Sequence, residues 1–171
     1  WPESAIGIYR FDNKNFRNFI KKVIPANSYL FAGGVRQDRD ANKVWNSVFV
    51  LDSNGDITDT YDKKHLVPFG EYIPFRSLMP FYINKMTQGS VDFSPGEFVK
   101  VIKINDNLPT FRPLICYESL FADDVIYEHH KPDVFINFTN DAWYGDSSGP
   151  YQHLDMTVFR SVEFGIPMIR V

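Results

Sequence analysis

From Asn15 to Val23 the chain reads NFRNFIKKV, which sets Phe16, Phe19, Ile20 and Val23 at helical spacing. Pro25 closes the run, since its ring cannot continue a helix. An amphipathic helix is predicted there. Two segments rich in β-branched and aromatic residues follow, SYLFAGGV at Ser28 to Val35 and VWNSVFVLD at Val44 to Asp52, parted by the charged turn QDRDANK. They predict two adjacent strands. Asp52-Ser53-Asn54-Gly55-Asp56 is a hairpin turn signal, and ITDTY returns from it as a further strand.

In the second half, FVKVIKI at Phe98 to Ile104 alternates as a strand does, DNLP turns the chain, and TFRPLICY runs as a strand into Cys116. SLFADDVIYEHH then has helical spacing and VFINFTN is a short apolar strand. YQHLDMTVFRSVEFG is a helix stopped by Gly165 and Pro167. Strands and helices alternate here, whereas the first half is mostly strands, so the pattern predicts a layered α/β fold. Tyr72 to Gly96 stands apart: it carries Pro74, Pro80, Pro95 and many aromatics without a clean period. Such a stretch inside a compact domain is usually functional.

The 171 residues, 44% of them hydrophobic and 16% aromatic, suffice for one sizeable core, so residues 1–171 are read as a single domain. A formal charge of −3 with acids and bases interspersed lacks the basic stripe that neutralises phosphates, which excludes nucleic acid as a partner. One cysteine excludes an internal disulfide framework and a multi-thiolate zinc site. No run approaches the roughly 18 to 20 apolar residues of a membrane-spanning helix. The chain begins at Trp1 and stops in the run Ile169-Arg170-Val171, so both ends read as cuts inside structured elements and a fragment is expected. What a parent chain carries beyond them is therefore open.

Cys116 follows the apolar strand FRPLI and precedes a helical pattern, placing its sulfur at a strand-to-helix turn. There a helix N-terminus favours a thiolate and free backbone N–H groups can bind an oxyanion. A lone cysteine is more often packing than chemistry. Two further segments change that balance: WPES places Glu3 at the end of a predicted strand, and YDKKHLVPFGEY groups Lys63, His65 and Glu71.

WPE, Y-x-K-x-H-L-V-P-F-G-E-Y, I-C-Y-E and N-D-A-W-Y-G, in this order, resemble the motifs of the nitrilase superfamily, whose catalytic set is Glu, Lys and Cys. HLVPFGEY, ICYE and NDAW followed by GPYQH look like its apolipoprotein N-acyltransferase branch rather than a soluble nitrilase, over nearly the whole chain from Trp1 to Arg170. The resemblance implies Glu3 as general base, Lys63 as the cation that stabilises the oxyanion and Cys116 as nucleophile. Glu71 and Glu118 match supporting carboxylates, and Tyr117 and Trp143 match aromatics near the nucleophile. The pattern Y-x-K selects Lys63 over its neighbour Lys64.

The fold so implied is a nitrilase-like α-β-β-α sandwich of two mixed sheets with outer helices. The activity implied is transfer of a fatty acyl chain from a phospholipid donor, through a Cys116 thioester, to the amine of diacylglyceryl-cysteine in an apolipoprotein acceptor. No cofactor is called for. The branch also implies a bacterial inner membrane location with the domain facing the periplasm. Membrane contact would come through segments outside this chain, and residues 72–93, with Arg76 and Lys85 available to meet headgroups, would either dip into a membrane interface or cover the acyl-binding cleft as a lid. The alternative is a soluble amidase that uses the same Glu-Lys-Cys set on a small C–N substrate.

Other motifs are weaker. GDSSG at Gly145 to Gly149 fits the G-x-S-x-G elbow of serine hydrolases, but NDAWY intervenes after the strand and His153 falls inside the next helix. His65, His129, His130 and His153 lack metal-ligand spacing, so no metal site is predicted and they read as surface or hydrogen-bonded residues. Asn137-Phe138-Thr139 is a sequon lying in an apolar strand, and reads as incidental.

Overall fold

The computed structural model of the chain describes residues 1–7, 13–76, 91–125 and 131–171. Helix α1 (Lys14–Val23) is capped by Asn13, whose side chain accepts the N–H of Asn15, and it gives way at Ile24, just before Pro25. Strands β1 (Leu30–Asp38), β2 (Lys43–Leu51) and β3 (Ile57–Asp62) form an antiparallel sheet in that order. The predicted hairpin turn joins β2 to β3. There Gly55 takes a φ of 78°, and Asp52 accepts the N–H groups of Asn54 and Asp56.

Strands β4 (Phe111–Ile115), β5 (Val134–Phe138) and β6 (Met168–Arg170) form a parallel sheet, connected by α2 (Ala122–Val125) and α3 (Gly149–Phe164). Gly165, left-handed at φ 61°, ends α3. Each sheet carries one bridge of the opposite sense: Ile6 pairs parallel with Gly34 of β1, and Ile102 pairs antiparallel with Phe111 of β4.

Period-2 alternation in the strands distributes the apolar side chains over three cores. Val48, Val50, Tyr61, Phe111, Ile115, Ile136 and Phe138 meet in a core between the sheets. Their neighbours Phe49 and Leu51 join Ile6, Ile20 and Ala32 in a second core with α1. Leu114, Phe135, Val125 and Ile166 form a third, on the far side of the parallel sheet. Each of these fully buried large side chains contributes roughly 1.5–3 kcal/mol. The result is the expected α-β-β-α order.

Three local expectations differ. Phe98 to Ile104 is no strand: only Ile102 pairs, through both of its backbone groups with Phe111. Of these residues only Ile102 is buried and Phe98 is exposed, so the segment is a strap with a single anchor. Glu3 does not end a strand. It sits in a turn with Ser4 at φ 54°, beside β1, where Gly33 donates to the Trp1 carbonyl. On α1, Phe19 and Val23 are exposed while Ile20 is buried, with Phe16 and Ile24 packed beside it, so the apolar stripe is narrower than its sequence spacing. Residues 77–90 of the predicted lid, including Pro80 and Lys85, and both His129 and His130 lie outside the described residues. At the base of that loop, Arg76 makes a two-pronged pair with Asp92.

Candidate active site

Four chain segments meet at one edge of the two sheets. Lys63 follows β3 directly, its N–H held by the carbonyl of Asn46 on β2 and its own carbonyl by the N–H of Gly96. Glu3 is brought in by the turn that leans on β1. A Cβ on Gly33 would stand 2.2 Å from the Pro2 carbonyl oxygen, so only glycine admits this close approach. A Cβ on Gly96 would likewise stand 2.2 Å from the Asp62 carbonyl oxygen, against the segment that carries Lys63. Cys116 opens a 3₁₀ turn (Cys116–Leu120) at the end of β4, with the uncommon φ of 51° for a residue with a side chain.

The Lys63 side chain is 1% exposed, and its Nζ lies 2.9 Å from Glu71 Oε2 and 3.5 Å from Glu3 Oε1. Asn46 bridges the two carboxylates: its Nδ2 donates to Glu3 Oε1 at 2.7 Å and to Glu71 Oε1 at 3.0 Å. The other Glu3 oxygen accepts the N–H of Asn140 at 3.2 Å, just beyond β5, so Glu3 joins the two sheets. Glu71 Oε2 also takes the N–H of Val67 at 2.8 Å. Burial alone would lower the Lys63 pKa. The charges of Glu71 and Glu3 outweigh it and hold the ammonium above its ordinary range.

Around Cys116 the balance runs the other way. Burial and the Glu3 charge push its thiol up to about 12, against the opposing pull of Lys63 and of a hydrogen bond from Thr139. With Glu3 and Glu71 ionised and Lys63 charged, the cluster already carries a net negative charge, and a thiolate would add a second. Passing the thiol proton to Glu3 leaves that total unchanged. The arrangement therefore favours a resting thiol.

Glu118 is fully committed. Its Oε1 accepts the Tyr61 hydroxyl at 2.8 Å and the N–H groups of Lys64 and His65 at 2.8 and 3.2 Å, and its Oε2 accepts the N–H of Ile115 at 2.8 Å. Burial, with the Glu118 charge beside it, raises the Tyr61 phenol above its usual range, so Tyr61 stays a donor. Arg112 caps this group, donating to the Tyr61 oxygen and lying over its ring. The Tyr117 ring lies 5.8 Å from Lys63 Nζ, within cation–π range, and its hydroxyl donates to the Leu66 carbonyl.

The structure thus gathers Glu3, Lys63, Cys116, Glu71, Glu118 and Tyr117. Trp143 is different. It sits on the 3₁₀ turn Asp141–Tyr144 with its side chain 55% exposed, and it is the next residue, Tyr144, whose phenol is raised by burial and by the Cys116 charge. Lys64 contributes its backbone N–H to Glu118. The GDSSG elbow is absent: Ser147 donates to the Tyr144 carbonyl and accepts the N–H of Gly149, closing the turn into α3. Asn137 is buried, which removes the sequon from modification. Among the described residues no cluster of His, Cys, Asp and Glu could hold a metal.

Sequence reasoning missed Asn46, Thr139, Asn137, Asp141, His153 and Arg170. Asn46 stands in WNS without any charge to flag it. Asn137 and Thr139 fall in the sequon that reads as incidental, and His153 reads as a surface or hydrogen-bonded residue, set aside both as a metal ligand and as a partner for Ser147. A polar residue in an otherwise apolar strand, such as Asn137 in VFINF, was the available signal.

The carbon-nitrogen hydrolase family model matches residues 1–171. The chain belongs to that family. Solved carbon-nitrogen hydrolase structures share its fold: one from Helicobacter pylori has a TM-score of 0.63 at 16% identity, over 95% of this chain and 51% of that one. A member of branch 10 of the nitrilase superfamily from Saccharomyces cerevisiae has a TM-score of 0.58 at 17% identity, over 91% of this chain and 49% of the other. Among curated relatives, the apolipoprotein N-acyltransferase of Rickettsia prowazekii is 43% identical over 100% of this chain and 34% of its own length. That of Brucella suis is 39% identical over 99% of the chain and 33% of its own length. The chain spans about a third of the length of these curated relatives.

Proposed function

We propose that this carbon-nitrogen hydrolase chain is the catalytic domain of an apolipoprotein N-acyltransferase, with Cys116 as nucleophile, Glu3 as general base and Lys63 as the charge that stabilises the oxyanion. The observation that carries the reading is the buried Lys63 held between Glu3 and Glu71 beside the strained Cys116, in a chain 43% identical along its whole length to a relative of that name.

In the first half-reaction Cys116 Sγ attacks the ester carbonyl of a phospholipid while its proton passes to Glu3. Lys63 meets the tetrahedral oxyanion. The carbon–oxygen bond then breaks, Glu3 returns the proton to the departing alkoxide, and a lysophospholipid leaves a thioester on Cys116. In the second, the amine of a diacylglyceryl-cysteine attacks the thioester and gives a proton to Glu3. The carbon–sulfur bond breaks and Glu3 reprotonates the thiolate, restoring the resting site. The site's net charge is constant in each proton transfer, which suits a site whose ionisable side chains are buried.

Both substrates are lipids, so the domain works at a membrane surface, and we place it on the periplasmic face of a bacterial inner membrane. Among the described residues no helix is long and apolar enough to cross a membrane. Anchoring is assigned to parts that the longer relatives possess. Residues 72–93 are proposed as the edge that meets the lipid; Phe75 within it is 75% exposed and Phe69, just before it, 47%.

The test is to supply the full-length protein with phospholipid and a synthetic diacylglyceryl-cysteine peptide. The reading predicts an N-acylated peptide by mass spectrometry. Hydrolysis of a small amide without acyl transfer would replace it with the soluble amidase.

A further inference from the structure

The thiol of Cys116 is served by Glu3, Lys63 and Thr139, and its backbone carbonyl is held by a second set that shares only Thr139 with the first. The Cys116 carbonyl accepts Asn137 Nδ2 at 3.0 Å and lies 3.2 Å from His153 Nε2. A carbonyl oxygen only accepts, so Nε2 carries a proton and donates. His153 is 3% exposed in the second turn of α3, on the side where Thr157 and Arg160 are also buried. At its other ring nitrogen, Nδ1, stand Asp141 Oδ1 at 3.0 Å and Arg170 Nη2 at 3.2 Å. Arg170 also donates to Asp141 Oδ2 at 2.7 Å and, through Nε, to Asn137 Oδ1 at 3.3 Å. Thr139 closes the ring, its hydroxyl 3.3 Å from Asp141 Oδ1.

Every link in this network leads back to the nucleophile. A positive φ at a residue with a side chain is strained and persists only where the surroundings impose it. Here two side-chain donors converge on the carbonyl of the strained residue, and each donor is itself fixed by Arg170, directly for Asn137 and with Asp141 for His153. The peptide joining Cys116 to Tyr117 contains that carbonyl. Holding its oxygen toward α3 turns its N–H the opposite way, because the two point in opposite directions from a planar trans peptide.

We propose that His153 is a positioning residue for the nucleophile: through Nε2–H it clamps the Cys116 carbonyl, with Asp141 and Arg170 fixing the ring, and so sets the left-handed turn that aims Cys116 into the site. The proposal rests on the reading of Cys116 as nucleophile. It does not depend on which acyl group is transferred.

Two substitutions separate the two ends of the ring, since a glutamine amide nitrogen falls near the position of Nε2 and an asparagine amide nitrogen near that of Nδ1. His153→Gln keeps a donor for the Cys116 carbonyl; His153→Asn keeps only a partner for Asp141. In the full-length protein, burst formation of the acyl-enzyme from phospholipid is followed together with the 240 nm thiolate titration of each variant against its own Cys116→Ser counterpart. Melting temperature reports folding.

The expected result is that His153→Asn slows acylation by about tenfold to a hundredfold with little change in the phospholipid concentration for half-maximal rate, as misplacement of a reacting group does. Its thiol titration shifts as well, and His153→Gln restores both to within a few-fold of wild type. Equal behaviour of the two variants, whether both wild-type-like or both impaired, overturns the proposal. If His153→Asn proves unfolded, the decision falls to His153→Gln alone, where a loss as large as tenfold in a folded protein contradicts the clamp. A wild type that forms no acyl-enzyme refutes the acyltransferase reading instead, and the thiol titration still decides the clamp.

Discussion

Glu118 accepts the backbone N–H of Lys64 at 2.8 Å and, through its other oxygen, the N–H of Ile115 at the same distance. One carboxylate therefore ties the segment that carries Lys63 to the turn that carries Cys116. The two lie on different sheets, and nothing in local strand geometry would fix their separation. Buried charge that accepts four hydrogen bonds is well compensated, and its removal leaves several donors without a partner at once.

Glu118→Gln is isosteric, yet it turns one acceptor oxygen into an NH₂ that must face donors from Ile115 or from Tyr61, Lys64 and His65. A destabilisation of about 1–3 kcal/mol is expected in urea unfolding. Acyl transfer should fall in the folded protein as well. Unchanged stability would show that Glu118 is not the tie described.

Gly33→Ala tests how Glu3 is placed. The new methyl would collide with the Pro2 carbonyl and the Glu3 Cα, at 2.2 and 2.8 Å, and both are backbone atoms that cannot rotate away. The N-terminal segment must move outward and take Glu3 from Lys63 and Asn46. A displacement near 1 Å can cost on the order of a hundredfold in rate, so acylation should drop steeply while the sheet itself remains folded by circular dichroism.

Most of this fold was legible in the sequence. Helical spacing, hairpin signals and apolar strands placed α1, β1 to β5 and α3, because each is patterned by its own burial. The strap at Phe98 to Ile104 reads as a strand because apolar and charged residues can alternate whether or not the backbone is paired. The charged members of the site were visible as motifs. Asn46, Asn137 and His153 were not, since their roles exist only where β2, β5 and α3 converge on residues distant in the chain.

Glu3→Gln should separate thiol ionisation from catalysis. After burial, the Glu3 charge is the largest influence raising the Cys116 thiol, so its neutralisation should lower the thiol's apparent pKa. The 240 nm titration, taken as a difference from the double variant that also carries Cys116→Ser, measures this. Acyl transfer should nevertheless fall by about a hundredfold or more, the usual loss when a general base is removed. A more ionised but less productive cysteine is the expected outcome.

Cys116 also gives stability a pH dependence of defined sign. The folded state holds the thiol proton up to about pH 12, whereas the unfolded chain releases it near about 8.5. The folded form then binds more protons than the unfolded one, and stability falls as pH rises between these values. The contribution is fully present below about pH 8.5. At pH 10 wild type should have lost about 2 kcal/mol relative to Cys116→Ser. Parallel urea midpoints for the two proteins from pH 7 to 10 would contradict a raised thiol.

The central claim, that Cys116 carries the acyl group between two lipid substrates, is tested most directly by intact-mass analysis. Full-length protein, wild type and Cys116→Ala, is incubated with phospholipid in detergent before any amine acceptor is added. Wild type should gain the mass of one acyl chain and lose it again when a diacylglyceryl-cysteine peptide follows, and Cys116→Ala should gain nothing. A folded wild type that shows no adduct, or an adduct that survives Cys116→Ala, would contradict the account.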